Sequence, residues 1–120
     1  MSELLKKDTV IRVDECLKKF KSDLKIIALE TTARTAKDAA NSLKCELGAI
    51  VKSLVFKAEN EFLICLIAGD KRCSLNKLKK TLNKKDVSMA NANEVKEITG
   101  FSIGGVSPIG HLNKLDIIID

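Results

Sequence analysis

The chain has 120 residues, of which 45% are hydrophobic and 31% charged, so it is long enough to bury one core of its own. No window approaches the roughly 20 apolar residues of a membrane span, and the N-terminus lacks a secretory signal, so we expect a cytoplasmic protein without membrane contact. A net charge of +5 and a pI near 9.1 favour contact with a polyanion.

The first third of the chain predicts two helices and a short strand. Apolar residues recur at helical spacing over about residues 8–21, and Lys25–Leu29 has the composition of a strand. Thr35 followed by Asp38 is a capping-box pattern. It predicts a second helix that ends near Cys45.

A hairpin is predicted next, because the apolar runs 49–58 and 62–68 are joined by the polar segment Glu59-Asn60-Glu61. Runs of this kind are typical of strands buried on both faces, so they are expected to form the centre of the sheet. Smaller elements should follow: a helix from Ser74 to about Leu82, a strand at 86–89, a helix opened by Asn91 and Glu94 and stopped by Gly100, and a strand at 115–119.

Helices dispersed among mostly short strands favour an α+β fold over a doubly wound parallel one. We therefore expect a single domain over residues 1–120, with a mixed, mostly antiparallel central sheet or partial barrel surrounded by helices.

The cysteines give no sign of a metal site. Cys16, Cys45, Cys65 and Cys73 include no Cys-x-x-Cys pair, and His111 is the one histidine in the sequence. A Cys–His nucleophilic pair is formally available. However, Cys65 lies in a continuous apolar run, which favours the role of a small buried hydrophobe.

Positive charge is densest between Lys71 and Lys85, the segment that holds Lys71, Arg72, Lys77, Lys79, Lys80, Lys84 and Lys85. On charge alone, a nucleic-acid contact and an ordinary solvated helix face are both open. Four phenylalanines without tyrosine or tryptophan make an aromatic platform for single strands improbable.

Lys52 breaks the apolar pattern of the first hairpin strand. Strand alternation puts it on one face with Leu54 and Phe56, toward apolar surroundings or a cleft edge. It is either a strand-end lysine whose ammonium reaches solvent or a cation that grips a phosphate or carbonyl oxygen.

A second unusual feature is the glycine-rich segment 104–111, Gly-Gly-Val-Ser-Pro-Ile-Gly-His. Adjacent glycines let a backbone approach a ligand closely and turn its N–H groups toward an anion. The segment lacks the Lys-Ser/Thr that a Walker A loop requires, so no nucleotide triphosphate is indicated. An ordinary connection between the last helix and the last strand is the alternative.

Several segments together resemble the YbaK/ProX family of aminoacyl-tRNA deacylases, over about residues 10–120. The Lys-Ser and Gly-Gly-x-Ser-Pro segments are the most specific marks. The segments are Thr32–Ala36, Ile50–Phe56, Gly69–Arg72, Ala90–Thr99 and Thr99–His111.

The resemblance implies a domain related to the editing domain of bacterial prolyl-tRNA synthetases, which hydrolyses the ester of wrongly charged tRNA. It implies no cofactor, and its expected partners are mischarged tRNA and, as a further option, an aminoacyl-tRNA synthetase. The implied catalytic residues are Lys52, which holds the terminal adenosine's phosphate or nearby oxygens, and Gly104 and Gly105, whose N–H groups stabilise an oxyanion. Because a ribose hydroxyl of the substrate is expected to help activate water, a protein base is not required.

The remaining implied residues fall into two groups. The substrate-binding group is Thr32, Arg34, Ser53, Asp70, Arg72, Ser107, Pro108 and His111. The tRNA-binding group is Lys71, Lys77, Lys79, Lys80 and Lys84. Within the first group, His111 is expected to orient the glycine loop, with a direct catalytic part as the alternative.

Departures from the family pattern leave a second function open. Thr32-Ala33 and Ser107 differ from the residues common in the family, which affects the shape of the substrate pocket. The family normally continues beyond Ile119-Asp120, so we expect part of the C-terminal region to be lacking. The alternative function is a catalytically silent module that binds tRNA or a synthetase, and the sequence does not identify which amino acid is removed.

Overall fold

A four-stranded sheet forms the centre of the structure, a computed structural model that describes residues 7–29 and 35–119. The strands are β1 (Val51–Ala58), β2 (Glu61–Ala68), β3 (Val87–Met89) and β4 (Asp116–Ile119). Their order is β3-β1-β2-β4, with β1 antiparallel to both neighbours and β4 parallel to β2. This open, mixed sheet with helices around it confirms the predicted α+β fold.

Four α-helices surround the sheet in the described part of the chain: α1 (Asp8–Phe20), α2 (Ala36–Leu43), α3 (Leu75–Leu82) and α4 (Ala92–Thr99). The N-terminal caps of α2 and α3 are those predicted, because the side chains of Thr35 and Ser74 accept backbone N–H bonds three residues on. Asn91 and Glu94 form a full capping box at α4, and Gly100, with φ of 79°, ends that helix.

The β1–β2 hairpin pairs every residue from Val51↔Ala68 to Ala58↔Glu61, which confirms it as the centre of the sheet. Its turn is one residue shorter than predicted, because Glu61 already pairs and Glu59 takes φ of 56°. Strand alternation then divides the core in two. One face, with Phe56, packs against α3, and the other, with Val55, packs against α4.

The strand predicted at Lys25–Leu29 is wrong. These residues have no regular structure, and 75% of Ile27 is exposed. Within the described residues, no strand of the sheet lies beside the segment. A strand needs a ladder partner for its backbone groups, and composition alone does not supply one.

Gly69 closes the hairpin beside the loop that leads to α3, and we predict that it does not tolerate a side chain. Its N–H donates to the Ile50 carbonyl at 2.6 Å, and a Cβ would lie 2.5 Å from the backbone oxygen of Leu47. Gly69→Ala should lower the free energy of unfolding by about 1–3 kcal/mol, the usual cost of overpacking. Urea titration measures this, with Gly105→Ala as control, since a Cβ there meets one atom at 3.6 Å. Equal stability of the two variants would contradict the prediction.

Candidate active site

A cavity of about 330 Å³ opens beside the first half of β1. It exists because β3 pairs only with residues 56–58 of β1, so residues 51–55 have no ladder neighbour on that side among the described strands. α2, the start of α4 and the loop around Gly104 close the remaining sides. The walls are mostly small and apolar: Ala36, Ala39, Val55, Ala90, Val95 and Val106.

Lys52 lines this cavity from the end of β1 and is partly buried. Its Nζ donates to the carbonyl oxygen of Lys71, at 2.6 Å, in the loop between β2 and α3. By alternation Lys52 shares the α3 face of the sheet with Leu54, as the sequence predicts. The ammonium is therefore held at the edge of the cavity by a backbone oxygen, and no carboxylate competes for it among the described residues.

Ser53 also lines the cavity, from the opposite face of the sheet. Its Oγ is buried and has no hydrogen-bond partner among the described residues. Its backbone groups also face the cavity. The Val55 carbonyl accepts a bond from the Ala90 N–H at 3.0 Å, on the β3 side of the strand. Because alternate residues of a strand direct their backbone N–H and C=O to the same edge, the odd-numbered residues of β1 direct theirs toward the β3 side. Ser53 thus directs its backbone N–H and C=O to the side of β1 that has no ladder neighbour among the described strands, while its hydroxyl stays buried.

The glycine loop presents Gly104, rather than Gly105, to the cavity. Gly104 has φ of 82°, and its N–H donates to no acceptor among the described residues. The N–H of Gly105 closes a turn by donating to the Ser102 carbonyl at 2.9 Å. Gly105 and Ser107 line a separate cavity of about 280 Å³ against α1. Of the two predicted oxyanion donors, Gly104 is therefore the one with an available N–H.

His111 holds the glycine loop in shape. Its Nε2 lies 2.6 Å from the Ser107 carbonyl oxygen, and a carbonyl only accepts, so the ring donates this bond. The ring also meets Phe101 edge-on, with centroids 5.9 Å apart. His111 is not among the residues that line the first cavity, and its role toward the substrate stays a prediction.

Arg12 anchors the same loop from α1 and was not predicted from the sequence. Its Nε donates to the Gly110 carbonyl at 2.6 Å, and its guanidinium lies 4.6 Å from the centre of the Phe101 ring. A single arginine in an amphipathic helix carries no pattern that points to a loop about 100 positions later, so sequence reasoning had no signal for it.

Other predicted substrate-binding residues lie away from the cavity. Asp70 is exposed beside Gly48, Arg72 lines a different cavity next to Cys73, and Pro108 is exposed in the loop. Thr32 and Arg34 lie outside the described residues. Three further residues line the cavity but were not predicted as site residues: Thr35, Met89 and Ile103.

The predicted tRNA-binding lysines form a basic surface on α3 and its flanks, which comprises Lys71, Lys77, Lys79, Lys80 and Lys84. α3 packs through Leu78 on the sheet face opposite Ser53. Lys84 is partly offset by Glu59, with 3.9 Å between Nζ and Oε1. The bond from Lys52 to the Lys71 carbonyl joins this surface to the cavity edge.

Neither a membrane-spanning helix nor a metal-binding cluster occurs in the part of the chain that the structure describes. No helix there has the length and apolarity that crossing a bilayer requires. No group of three or more His, Cys, Asp or Glu side chains is placed to hold a metal ion within residues 7–29 and 35–119.

Comparison with known proteins gives one family match, to the aminoacyl-tRNA editing domain, over residues 30–120. Two curated relatives match most of this chain but cover different shares of their own length. A Proline–tRNA ligase of Thermosipho africanus (strain TCF52B) is 38% identical over 87 residues, which is 72% of this chain and 15% of the ligase. Protein YwhH of Bacillus subtilis (strain 168), which is uncharacterized, is 34% identical over 96 residues, 79% of this chain and 60% of YwhH.

A solved structure agrees with these sequence matches. It is a protein described as a proposed trans-editing enzyme for prolyl tRNA synthetase, with a TM-score of 0.88 and 37% identity. The match covers 95% of this chain and 73% of that protein. The chain thus spans most of that protein but a small fraction of the ligases it resembles.

Proposed function

The chain belongs to the aminoacyl-tRNA editing domain family, and on that premise we propose that it hydrolyses the ester bond of mischarged aminoacyl-tRNA as a trans-editing enzyme. The observation that carries the proposal is the cavity, where Lys52, Ser53 and Gly104 come together from positions about 50 residues apart. We expect the protein to act in the cytoplasm, with mischarged tRNA as its substrate and an aminoacyl-tRNA synthetase as a further candidate partner.

The proposed reaction adds water across the ester. A water oxygen attacks the ester carbonyl carbon and gives a tetrahedral oxyanion. The carbon–oxygen bond to the ribose then breaks, the ribose oxygen takes a proton, and the amino acid leaves as a carboxylate. In this scheme a ribose hydroxyl of the substrate helps activate the water, so no side chain of the protein acts as the base.

Gly104 and Lys52 have distinct parts in this scheme. The N–H of Gly104 is the donor for the oxyanion, because it lines the cavity and has no acceptor among the described residues. Lys52 leaves the Lys71 carbonyl and holds the terminal phosphate or neighbouring oxygens of the adenosine. An apolar cavity strengthens both interactions, since fewer water molecules screen the charges.

Release of free amino acid from a panel of mischarged tRNAs tests the proposal. Alanyl, cysteinyl, seryl and threonyl esters form the panel, with correctly charged prolyl-tRNA as the control. Faster release than in buffer from at least one mischarged tRNA, with prolyl-tRNA spared, is the expected result. Release at the buffer rate from every member would contradict the hydrolase proposal.

A silent binding module is the second candidate function. Two of the three predicted catalytic groups are already engaged inside the protein, Lys52 Nζ with the Lys71 carbonyl and Gly105 N–H with the Ser102 carbonyl. Such a module would bind tRNA without releasing the amino acid. Measuring tRNA affinity beside amino-acid release separates the two candidates.

The basic surface is proposed to contact acceptor-stem phosphates. Replacing both Lys79 and Lys80 by Gln should weaken binding of every tRNA, because phosphate contacts do not depend on sequence. The slope of log affinity against log salt should become shallower by about 0.7–0.9 for each phosphate that the variant no longer neutralises. The control replaces Lys18 and Lys19 of α1, which lie outside the basic surface. An unchanged salt slope in the α3 variant would place the tRNA elsewhere.

A further inference from the structure

Cys65 and Cys73 bring two thiols together on the α3 face of the sheet. The Cys73 thiol donates a weak hydrogen bond to Cys65 Sγ, with 3.9 Å between the two sulfur atoms. Cys65 belongs to the core cluster on this face and Cys73 packs against it, and both are thiols rather than a disulfide. A disulfide needs its sulfurs about 2.05 Å apart, so an approach of about 2 Å would join them.

The two cysteines differ in how firmly the fold holds them. Cys65 lies within β2, where its backbone pairs with Leu54 on one side and with Ile118 on the other. Cys73 lies in the loop between β2 and α3, and residues 71–74 of this loop have no regular secondary structure. Because ladder bonds on both sides fix Cys65, the loop supplies most of the movement when the sulfurs approach.

A cavity of about 150 Å³ gives a small oxidant access to the two thiols. Both cysteines line it, and its wall includes the polar side chains of Arg72, Ser74 and Lys77. A cavity needs about 10–15 Å³ to hold one water molecule, so this one also admits hydrogen peroxide. Cys73 is partly exposed, whereas only 2% of Cys65 is exposed. The oxidant therefore meets Cys73 first, with Cys65 as the buried resolving thiol.

The same loop carries the contact that holds Lys52. The carbonyl of Lys71, two residues before Cys73, accepts the bond from Lys52 Nζ at 2.6 Å. Ser74 follows Cys73 and caps α3 by accepting the N–H of Lys77 at 3.3 Å. Movement of Cys73 toward β2 should therefore displace both the Lys71 carbonyl and the start of α3.

We propose that Cys65 and Cys73 form an oxidation site, which peroxide converts to a disulfide that moves the Lys71 carbonyl away from Lys52. Formation of the disulfide does not depend on the proposed function, whereas its effect on deacylation rests on that function.

The chemistry takes two steps and one molecule of hydrogen peroxide. The Cys73 thiol loses its proton and its sulfur attacks one peroxide oxygen; the O–O bond breaks, and the other oxygen takes that proton and leaves as water. The Cys65 sulfur then attacks the sulfenic sulfur of Cys73, and the sulfenic oxygen leaves as water with the Cys65 proton. Two thiols are oxidised to a disulfide while the peroxide is reduced to water. A dithiol reductant reverses the change by exchange, as is usual for a disulfide in a reducing compartment.

Mass spectrometry of peroxide-treated protein tests the oxidation site directly. The starting protein carries Cys16→Ser and Cys45→Ser together, so it holds no cysteine besides the two in question. Its intact mass should fall by two hydrogen atoms without gaining oxygen. Trypsin cuts after Lys71 and so places Cys65 and Cys73 in separate peptides, which should stay linked until dithiothreitol is added.

Cys73→Ser in the same background is the matched control. It replaces a partly exposed sulfur by an oxygen of similar geometry, and it should give neither the mass loss nor the linked peptides. Cys73→Ala is a second control, and circular dichroism checks that both variants are folded. An oxidised starting protein without the linked peptides would overturn the oxidation site.

The deacylation rate tests the link to Lys52. In the reduced protein the Lys71 carbonyl fixes a flexible ammonium at the cavity edge before the substrate arrives. Displacing that carbonyl should lower the single-turnover rate by on the order of 100-fold, the cost of misplacing a catalytic group by about 1 Å. Dithiothreitol should restore the rate, and Cys73→Ser should keep its rate in peroxide.

The outcomes separate this proposal from the proposed function. A disulfide that leaves the rate unchanged or raises it would overturn the link to Lys52. If the disulfide forms but the reduced protein releases no amino acid from any mischarged tRNA, the oxidation site stands and the hydrolase proposal fails.

Discussion

Lys52→Ala should lower the single-turnover rate of deacylation by on the order of 100-fold or more. The side chain lines the cavity, and its Nζ is held by a backbone carbonyl that a substrate oxygen can replace. A lysine that holds phosphate or carbonyl oxygens contributes most when charge develops, so the rate should fall more than tRNA affinity. Stability should change by at most about 1.5 kcal/mol, since the substitution removes one hydrogen bond to a neutral acceptor.

Lys57→Ala is the matched control for this prediction. Lys57 is on the same strand, but it does not line the cavity, and its Nζ lies 3.5 Å from Glu94 Oε2. Its removal should leave deacylation close to the parent rate. A folded Lys52→Ala variant with the parent rate would show that Lys52 takes no part in the reaction.

Gly104→Ala is the second substitution with a large expected effect, about 100-fold on the rate. The backbone there has φ of 82°, which an alanine adopts only at a cost of about 1–2 kcal/mol. A Cβ would meet no atom within 4 Å, so the methyl causes no clash inside the protein. The variant should relax its backbone, move the N–H away from the oxyanion and occupy space needed by the ester.

Gly110→Ala separates the loss of the donor from simple backbone strain. Gly110 has φ of 80°, and its Cβ would lie 3.4 Å from the nearest atom, an ordinary contact. Both variants should lose similar stability in urea titrations, but only Gly104→Ala should lose rate. Equal rates in the two variants would remove Gly104 from the mechanism.

Gly105 shows which part of the candidate site the sequence predicts and which part it does not. The glycine pair predicts an anion-binding loop, but composition does not say which N–H is available. That depends on the turn from Ser102, which uses the Gly105 N–H and leaves the Gly104 N–H without an acceptor among the described residues. The loop could therefore be predicted from sequence, and the donor could not.

The fold follows the same division between local and long-range information. Caps at Thr35, Ser74 and Asn91 depend on residues three positions apart, so their patterns predict helix starts correctly. The failed strand at Lys25–Leu29 depends on a partner strand elsewhere, which local composition cannot supply. The Ser53 hydroxyl also depends on long-range information, because its lack of a hydrogen-bond partner among the described residues is visible only in the folded structure.

The central claim is that this chain itself breaks the ester bond of mischarged aminoacyl-tRNA. The most direct measurement is a single-turnover assay with protein in excess over each mischarged tRNA of the panel in turn, which records free amino acid against time for the parent and for Lys52→Ala purified in parallel. The proposed function predicts rapid release by the parent and release near the buffer rate by the variant, which excludes a contaminating hydrolase. Release by the parent that is no faster than in buffer for every member of the panel, or identical release by both proteins, would contradict it.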